Sequence, residues 1–557
     1  MCGKFITGKV TYDFVPTLDA AHGGPKLDYA SITAKPARRV TVELLDSSDT
    51  AIASTATDDN GEYSLPISGD YKKIRVTAEV LANAYLKDGL GTENCNGSSW
   101  NITVADNTVG NAVFAGVKDI KDKSNIDVHF TVDPAKADVN SRSAAPFAIL
   151  DTLVTEMEKI CEVTPDIHFP QLYVYWSPDN VPSTYLDISV GYIVTSHFGL
   201  SKDSSGKLYP SLYILGQKDV DTDEYDRHII AHEYGHYVES QIFRADSIGG
   251  THSSLDSLDP RVSFSEGFGN AISAMTLNNP SYVDTSGTGE SGGFGFAINN
   301  APTGDMTTIY SEFAVHYLLW SLYENTDGTT NSGTAAKILN VLNSTKTSDA
   351  FVTLQSFGAF YNAIYGATSE NFQSLWISLG NDYNSLCAAC VGSGDVADPL
   401  DSAGKLGAAY FVAASPVIHY PPGTVTTETA AFWQVYTLLS SGTPAIGAII
   451  DLTAGSASSS QNIYPYNKKG AHELFVISGG TSATLTVTTS NCAGPSTAPI
   501  MMNIYNQNAI IASQTGTGCG GVSFSAVSGK KYIVDVNVPE TISSPVAGKY
   551  TFDIVYN

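Results

Sequence analysis

The stretch DRHIIAHEYGHYVES, residues 226–240, decides how the centre of this 557-residue chain is read. Two histidines, His232 and His236, stand four apart, with Glu233 directly after the first. On an α-helix such residues share one face, so both imidazoles can address a single ion while the carboxylate stands beside it. Ile230, Tyr234, Tyr237 and Val238 supply apolar faces, and Asp223 or Asp226 can cap the helix start. In a chain with 11 histidines the pattern arises by chance on the order of one time in a hundred. The competing reading, a purely structural helix, would leave a buried histidine pair needing other partners.

Such a pair suits Zn2+, which at a catalytic site takes three protein ligands and keeps one position open to water. Glu233 is then the expected general base, taking a proton from the attacking water and passing it to a leaving amine. A third ligand must come from elsewhere. The metzincin pattern requires Gly at 239 and His at 242, where this chain has Glu239 and Ile242, so that class is excluded. A carboxylate from a second helix is the remaining common solution. Glu266, 30 residues after His236 in RVSFSEGFGNAISAM, opens an apparent helix in which Gly267 and Gly269 allow close packing.

HEYGH followed by SEGFGNAIS (265–273) resembles the gluzincin arrangement of thermolysin-like and especially fungalysin-like metallopeptidases, and IGGTHS (248–253) is similar to the latter. The likeness spans roughly 210–325, about a fifth of the chain. It implies a zincin-type α+β fold, with His232, His236 and Glu266 as zinc ligands and Glu233 as base, and is silent on substrate. The family usually has an aspartate four residues after the ligand glutamate, accepting a hydrogen bond from a zinc-bound histidine. Asn270 stands there instead, an acceptor without charge, for which losses of roughly 10- to 100-fold in affinity or activity are conceivable. In gluzincins an edge strand bordering the cleft pairs with extended peptides. SLYIL (211–215) is either that strand or an interior one.

A developing oxyanion needs a Tyr or His donor. TTIYSEFAVHYLLWSLYEN (307–325) offers Tyr310, His316 and Tyr317, of which Tyr310, at the helix entrance, is the expected partner; the alternative is that all three pack. His252 is a second candidate. The acid run DVDTDEYD (219–226) raises Ca2+ as a further cofactor, but Glu224 and Ile230 stand where an EF-hand loop needs Gly and Glu. Carboxylates at a positive helix end also account for such a run.

With 557 residues, two to four domains are expected. Alternation at Val40, Val42, Leu44, Tyr63 and Leu65 predicts a β-sandwich in 1–135, and RVTVELLDSSDTAIASTATDDNGEYSLPI (39–67) resembles transthyretin-like or carboxypeptidase-regulatory-like modules. Helices are expected near 143–161, 264–277, 310–324, 333–343 and 350–364, within a catalytic domain at 136–407. Alternation returns at Tyr532, Val534, Val536 and at Tyr550, Phe552, Ile554, predicting a second sandwich in 408–557, similar to pre-peptidase C-terminal domains. Among the cysteines, Cys492 is expected to pair with Cys519, and Cys387 with Cys390 at a helix end.

Lys+Arg total 30 against 56 Asp+Glu, a net charge of −26 that repels phosphate backbones, so nucleic acid is not an expected partner. No apolar run reaches the roughly 18 residues of a membrane span. Low charge content and abundant Gly, Ser, Thr, Asn and Tyr suit an exported protein. Cys2-Gly3 resembles the start of a mature bacterial lipoprotein, with an unremarkable terminal cysteine as the equal alternative. The expectation is a secreted or envelope-anchored zinc endopeptidase acting on a protein or peptide substrate. Its rival is an inactive zincin-fold envelope protein that binds carbohydrate or protein.

Overall fold

The computed structural model describes residues 5–67, 71–81, 100–120, 124–164, 167–203, 205–324, 330–348, 350–365, isolated positions in 372–379, and 437–439, 446–452, 465–479, 484–494, 500–507, 509–516, 519–539 and 548–556. These hold many β-sheets and six α-helices. Cys2, Cys387 and Cys390 lie outside them. Contacts divide the chain into two compact units, 1–242 with 269–298, and 243–268 with 299–557.

In the first unit, Phe5–Phe14 pairs with Val128–Phe130, Thr33–Pro36 and Glu62–Pro66, while Ala115–Asp119, Lys73–Thr77, Thr41–Leu45 and Ala51–Ala56 form another four-stranded sheet. Alternation is why: Val42, Leu44, Tyr63, Leu65, Ile74 and Val76 are all buried. Strands β1 (Asn101–Asp106), β2 (Leu172–Trp176), β3 (His197–Lys202) and β4 (Leu208–Ile214) belong to a six-stranded sheet. In it β1, β2 and β4 run parallel, and β3 closes the edge antiparallel to β4. Helix α1 (Ala145–Val163) packs on β1, and α2 (Arg227–Tyr237) lies beside α1 against β3 and β4. Val104, Val174, Leu212 and Ile214 are buried. Tyr175 and Tyr213 stack, 5.2 Å apart, in a separate cluster with Ile193 and Leu215.

SLYIL therefore falls in β4, interior between β2 and β3. The edge belongs to HFGLSK, which Gly199 and a lack of β-branched residues hide from a propensity reading.

Helix α3 (Pro260–Leu277) begins in the second unit and ends in the first. Strands β5 (Asp221–Thr222), β6 (Ser281–Ser286) and β7 (Gly292–Ala297) complete a small sheet in the first unit. The second unit holds α4 (Glu312–Glu324), α5 (Asn331–Thr345) and α6 (Leu354–Tyr365), close to their expected positions. It also holds a five- and a four-stranded sheet sharing one core, which includes Phe475, Val534, Val536, Tyr550, Phe552 and Ile554. Cys492 is disulfide-bonded to Cys519, and Cys161 is also in a disulfide. No helix among the described residues is long and apolar enough to cross a membrane.

Candidate metal centre

Asp226 is the N-cap residue of α2, yet its side chain makes no capping bond. Its Oδ2 instead accepts the Thr285 backbone N–H at 2.6 Å and the Thr285 hydroxyl at 2.9 Å, so the expected capping role goes to a strand contact. Arg227–Tyr237 is α-helical and Val238–Ile242 continues as a π-helical turn, a feature frequent at functional sites.

Both His232 and Glu233 are buried. The Nε2 atoms of His232 and His236 face each other at 3.0 Å. His232 Nδ1 lies 2.9 Å from Asn270 Oδ1. An amide oxygen only accepts, so Nδ1 carries the proton and the lone pair of the neutral ring sits on Nε2. The crossing of α2 and α3 is glycine-made. A Cβ on Gly235 would come within 3.0 Å of Gly269 Cα, and one on Gly269 would meet the His232 ring at 2.9–3.1 Å.

Glu266 stands one turn before Asn270 on α3. His232, His236 and Glu266 each offer one ligand atom, all within 4.8 Å of one another. Two nitrogens on a tetrahedral zinc, each bonded at about 2.05 Å, stand about 3.3 Å apart, within a few tenths of the spacing seen here. Two imidazoles and a carboxylate thus fit zinc in both chemistry and size.

Glu233 Oε2 accepts the backbone N–H of Phe198, on the edge strand β3, at 2.7 Å. This contact gives the Glu233 carboxylate a fixed position beside a sheet edge, and no sequence pattern signals it.

His252 Nε2 lies 3.4 Å from Glu266 Oε2, and Glu312 completes a group whose ligand atoms fall within 4.8 Å. Burial would lower the His252 pKa, but the Glu266 carboxylate, helped by Glu312, outweighs it and pushes the ring up to about 10. His252 is therefore the group found at the Glu266 carboxylate. Tyr310 is buried just before α4, with the Lys469 ammonium 4.4 Å over its ring. His316 is buried within α4, edge-on to Phe313 at 5.0 Å.

The acid run gains a member that spacing could not supply. Asp221, Asp223 and Asp284, the last from β6, offer ligand atoms within 4.8 Å of one another. Burial, with neighbouring carboxylates adding to it, pushes Asp284 up to about 7 and Asp223 and Asp226 well above the ordinary range; burial pushes Asp221 up to about 6. The buried Oδ1 atoms of Asp221, Asp223 and Asp226 meet no donor among the described residues. Glu224 takes no part, being bound by Arg142.

Neither a protein-family model nor a curated protein matches this chain.

Proposed function

We propose that the chain is a zinc-dependent endopeptidase of the gluzincin type, with its catalytic helices between β-sandwich regions. The observation carrying this reading is the facing pair of imidazole nitrogens on α2, with Glu233 beside them and Glu266 and Asn270 one turn apart on α3. His232, His236 and Glu266 would hold the ion, and Asn270 fixes the His232 tautomer that presents Nε2. Bound zinc supplies Lewis acidity, polarising a carbonyl and making water a nucleophile near neutral pH. Glu233 takes a proton at a carboxylate oxygen and returns it to the leaving amine. The exposed edge of β3 suits an extended peptide added as a further strand, which places a scissile carbonyl beside Glu233. His252, beside Glu266, is a donor for charge developing on substrate.

The aspartate cluster supports a second, structural cation. Hard carboxylate oxygens without donors favour Ca2+ there, bridging the approach to α2 and strand β6. Export to the cell envelope or medium accords with the disulfides.

The test combines zinc analysis with casein digestion, with and without chelator, on wild type and Glu233→Gln. Stoichiometric zinc in both proteins, with cleavage by wild type only, is expected. Zinc without cleavage by wild type leaves the rival reading, a binding protein on a zincin fold. Absence of zinc sinks both the ligand set and the mechanism.

A further inference from the structure

The segment Gly249–Asp259 carries His252 but has no helix or extended strand of its own, and turns at Gly249 and Gly250, both with positive φ. What holds it comes from the far end of the same unit. Lys468 forms an isolated antiparallel bridge with Leu258. Asp259 N–H donates to the Asn467 carbonyl at 2.8 Å, and Lys469 N–H to the Ser257 carbonyl at 2.9 Å. The Asn467 amide donates to Gly249 O at 2.9 Å and reaches Thr251 O at 3.4 Å. Lys468 Nζ meets Thr251 O at 2.8 Å, Asn467 Oδ1 at 2.6 Å and Asp256 Oδ2 at 3.5 Å. His252 is thus bracketed by Thr251 and Asp256, both held by one ammonium.

Burial of this corner is nearly complete, with Asn467 0% and Lys468 3% exposed. Lysine is almost never fully buried without partners, and a buried charge is weak evidence for stability but a good device for fixing one arrangement. Three N–H groups matched to three acceptors, two of them on the loop, fit that use. The start of α3 is tied down in the same way. Asp259 accepts from Arg261 Nε at 2.8 Å and Nη2 at 3.0 Å, Arg261 Nη1 lies 3.7 Å from Asp535, and Asp535 meets His472 Nδ1 at 2.8 Å. Asp535 and His472 belong to paired strands of the C-terminal sandwich.

We propose that the C-terminal sandwich is a working part of the metal centre, its Asn467–Lys468 corner serving as a positioning element that holds His252 against Glu266. The inference rests on the reading of Glu266 as a ligand and extends it. His252 orients that carboxylate, and Lys468 acts through His252 without touching substrate. The sandwich is then no detachable appendage, since removing its corner frees the loop.

The test measures zinc affinity by competition with a chromogenic chelator, with thermal melts alongside, for the full chain, Lys468→Met, Lys468→Gln, His252→Ala and the double variant Lys468→Met/His252→Ala. Lys468→Met is expected to weaken zinc binding about 10- to 100-fold. Lys468→Gln, which keeps a donor for Thr251, loses less and serves if the methionine variant does not fold. If the lysine works through His252, the double variant binds zinc no more weakly than His252→Ala alone. Lower melting temperatures with unchanged zinc affinity would make the corner a mere staple and overturn the proposal, as would additive losses. Wild type without zinc overturns the metal-centre reading itself, a different result from wild type with zinc and unaffected variants.

Discussion

At Asn270 the His232 ring meets an amide oxygen at 2.9 Å, where a carboxylate would add a full negative charge with nearly the same shape. Charge at this position raises the basicity of the His232 imidazole, so, on the proposed zinc reading, Asn270→Asp is expected to tighten zinc binding by roughly tenfold. Asn270→Leu, which removes the acceptor, is expected to weaken it by about 10- to 100-fold. Competition titration with both variants checks the pair, and equal affinities across all three proteins would show that the contact does not tune the metal. His232, Glu233, His236 and Glu266 are legible in the sequence because helical spacing and a small-residue helix mark them locally. Phe198 is not, since an edge-strand N–H becomes a neighbour of the site only through tertiary structure, and His252, a second candidate in the sequence, meets Glu266 only there.

Elements add constraints that no single residue reveals. Because a Cβ on Gly269 would stand 2.9–3.1 Å from the His232 ring, Gly269→Ala must move either α3 or the imidazole. A destabilisation of about 1–3 kcal/mol is expected, together with weaker zinc binding, measured by chemical denaturation and metal titration. Helix α2 carries a second test at His228. Its ring meets the Asn279 carbonyl at 3.0 Å, and burial lowers its pKa to about 4. The folded value is depressed, so its contribution is complete above the unfolded pKa of about 6.5 and is lost as pH falls toward 4. The wild-type-minus-His228→Phe difference in stability should shrink over that window by on the order of 3 kcal/mol. A pH-independent difference would show that His228 is not held neutral. The helices themselves were readable from periodicity. The edge strand was not, because HFGLSK offers neither alternation nor β-branched residues.

At the scale of the whole molecule, sequence patterns mark elements without showing which distant segments share a core. Alternation could locate the strands around Val534 and Phe552, but nothing in residues 249–259 signals that they bind Asn467 and Lys468. The same holds for Asp284, a lone acid on β6 that becomes a partner of Asp221 and Asp223. In a chain with net charge −26, carboxylates that share a buried space repel one another within an already negative molecule. Their folded pKa values are raised, so without a cation their favourable contribution is present below about pH 4 and is lost as pH rises through about 6 and 7. A divalent cation reverses this, because it binds the ionised form. With chelator present, melting temperature is expected to fall between pH 4 and 8 more steeply for wild type than for Asp221→Asn/Asp284→Asn. Ca2+ at about 100 times its dissociation constant should restore about 2.7 kcal/mol at neutral pH, a rise of roughly 5 °C, and do nothing for the double variant. Mg2+, which holds its water more tightly and prefers stricter geometry, should restore less. A wild-type melting temperature that ignores Ca2+ at neutral pH would mean that the three aspartates keep protons instead of a metal.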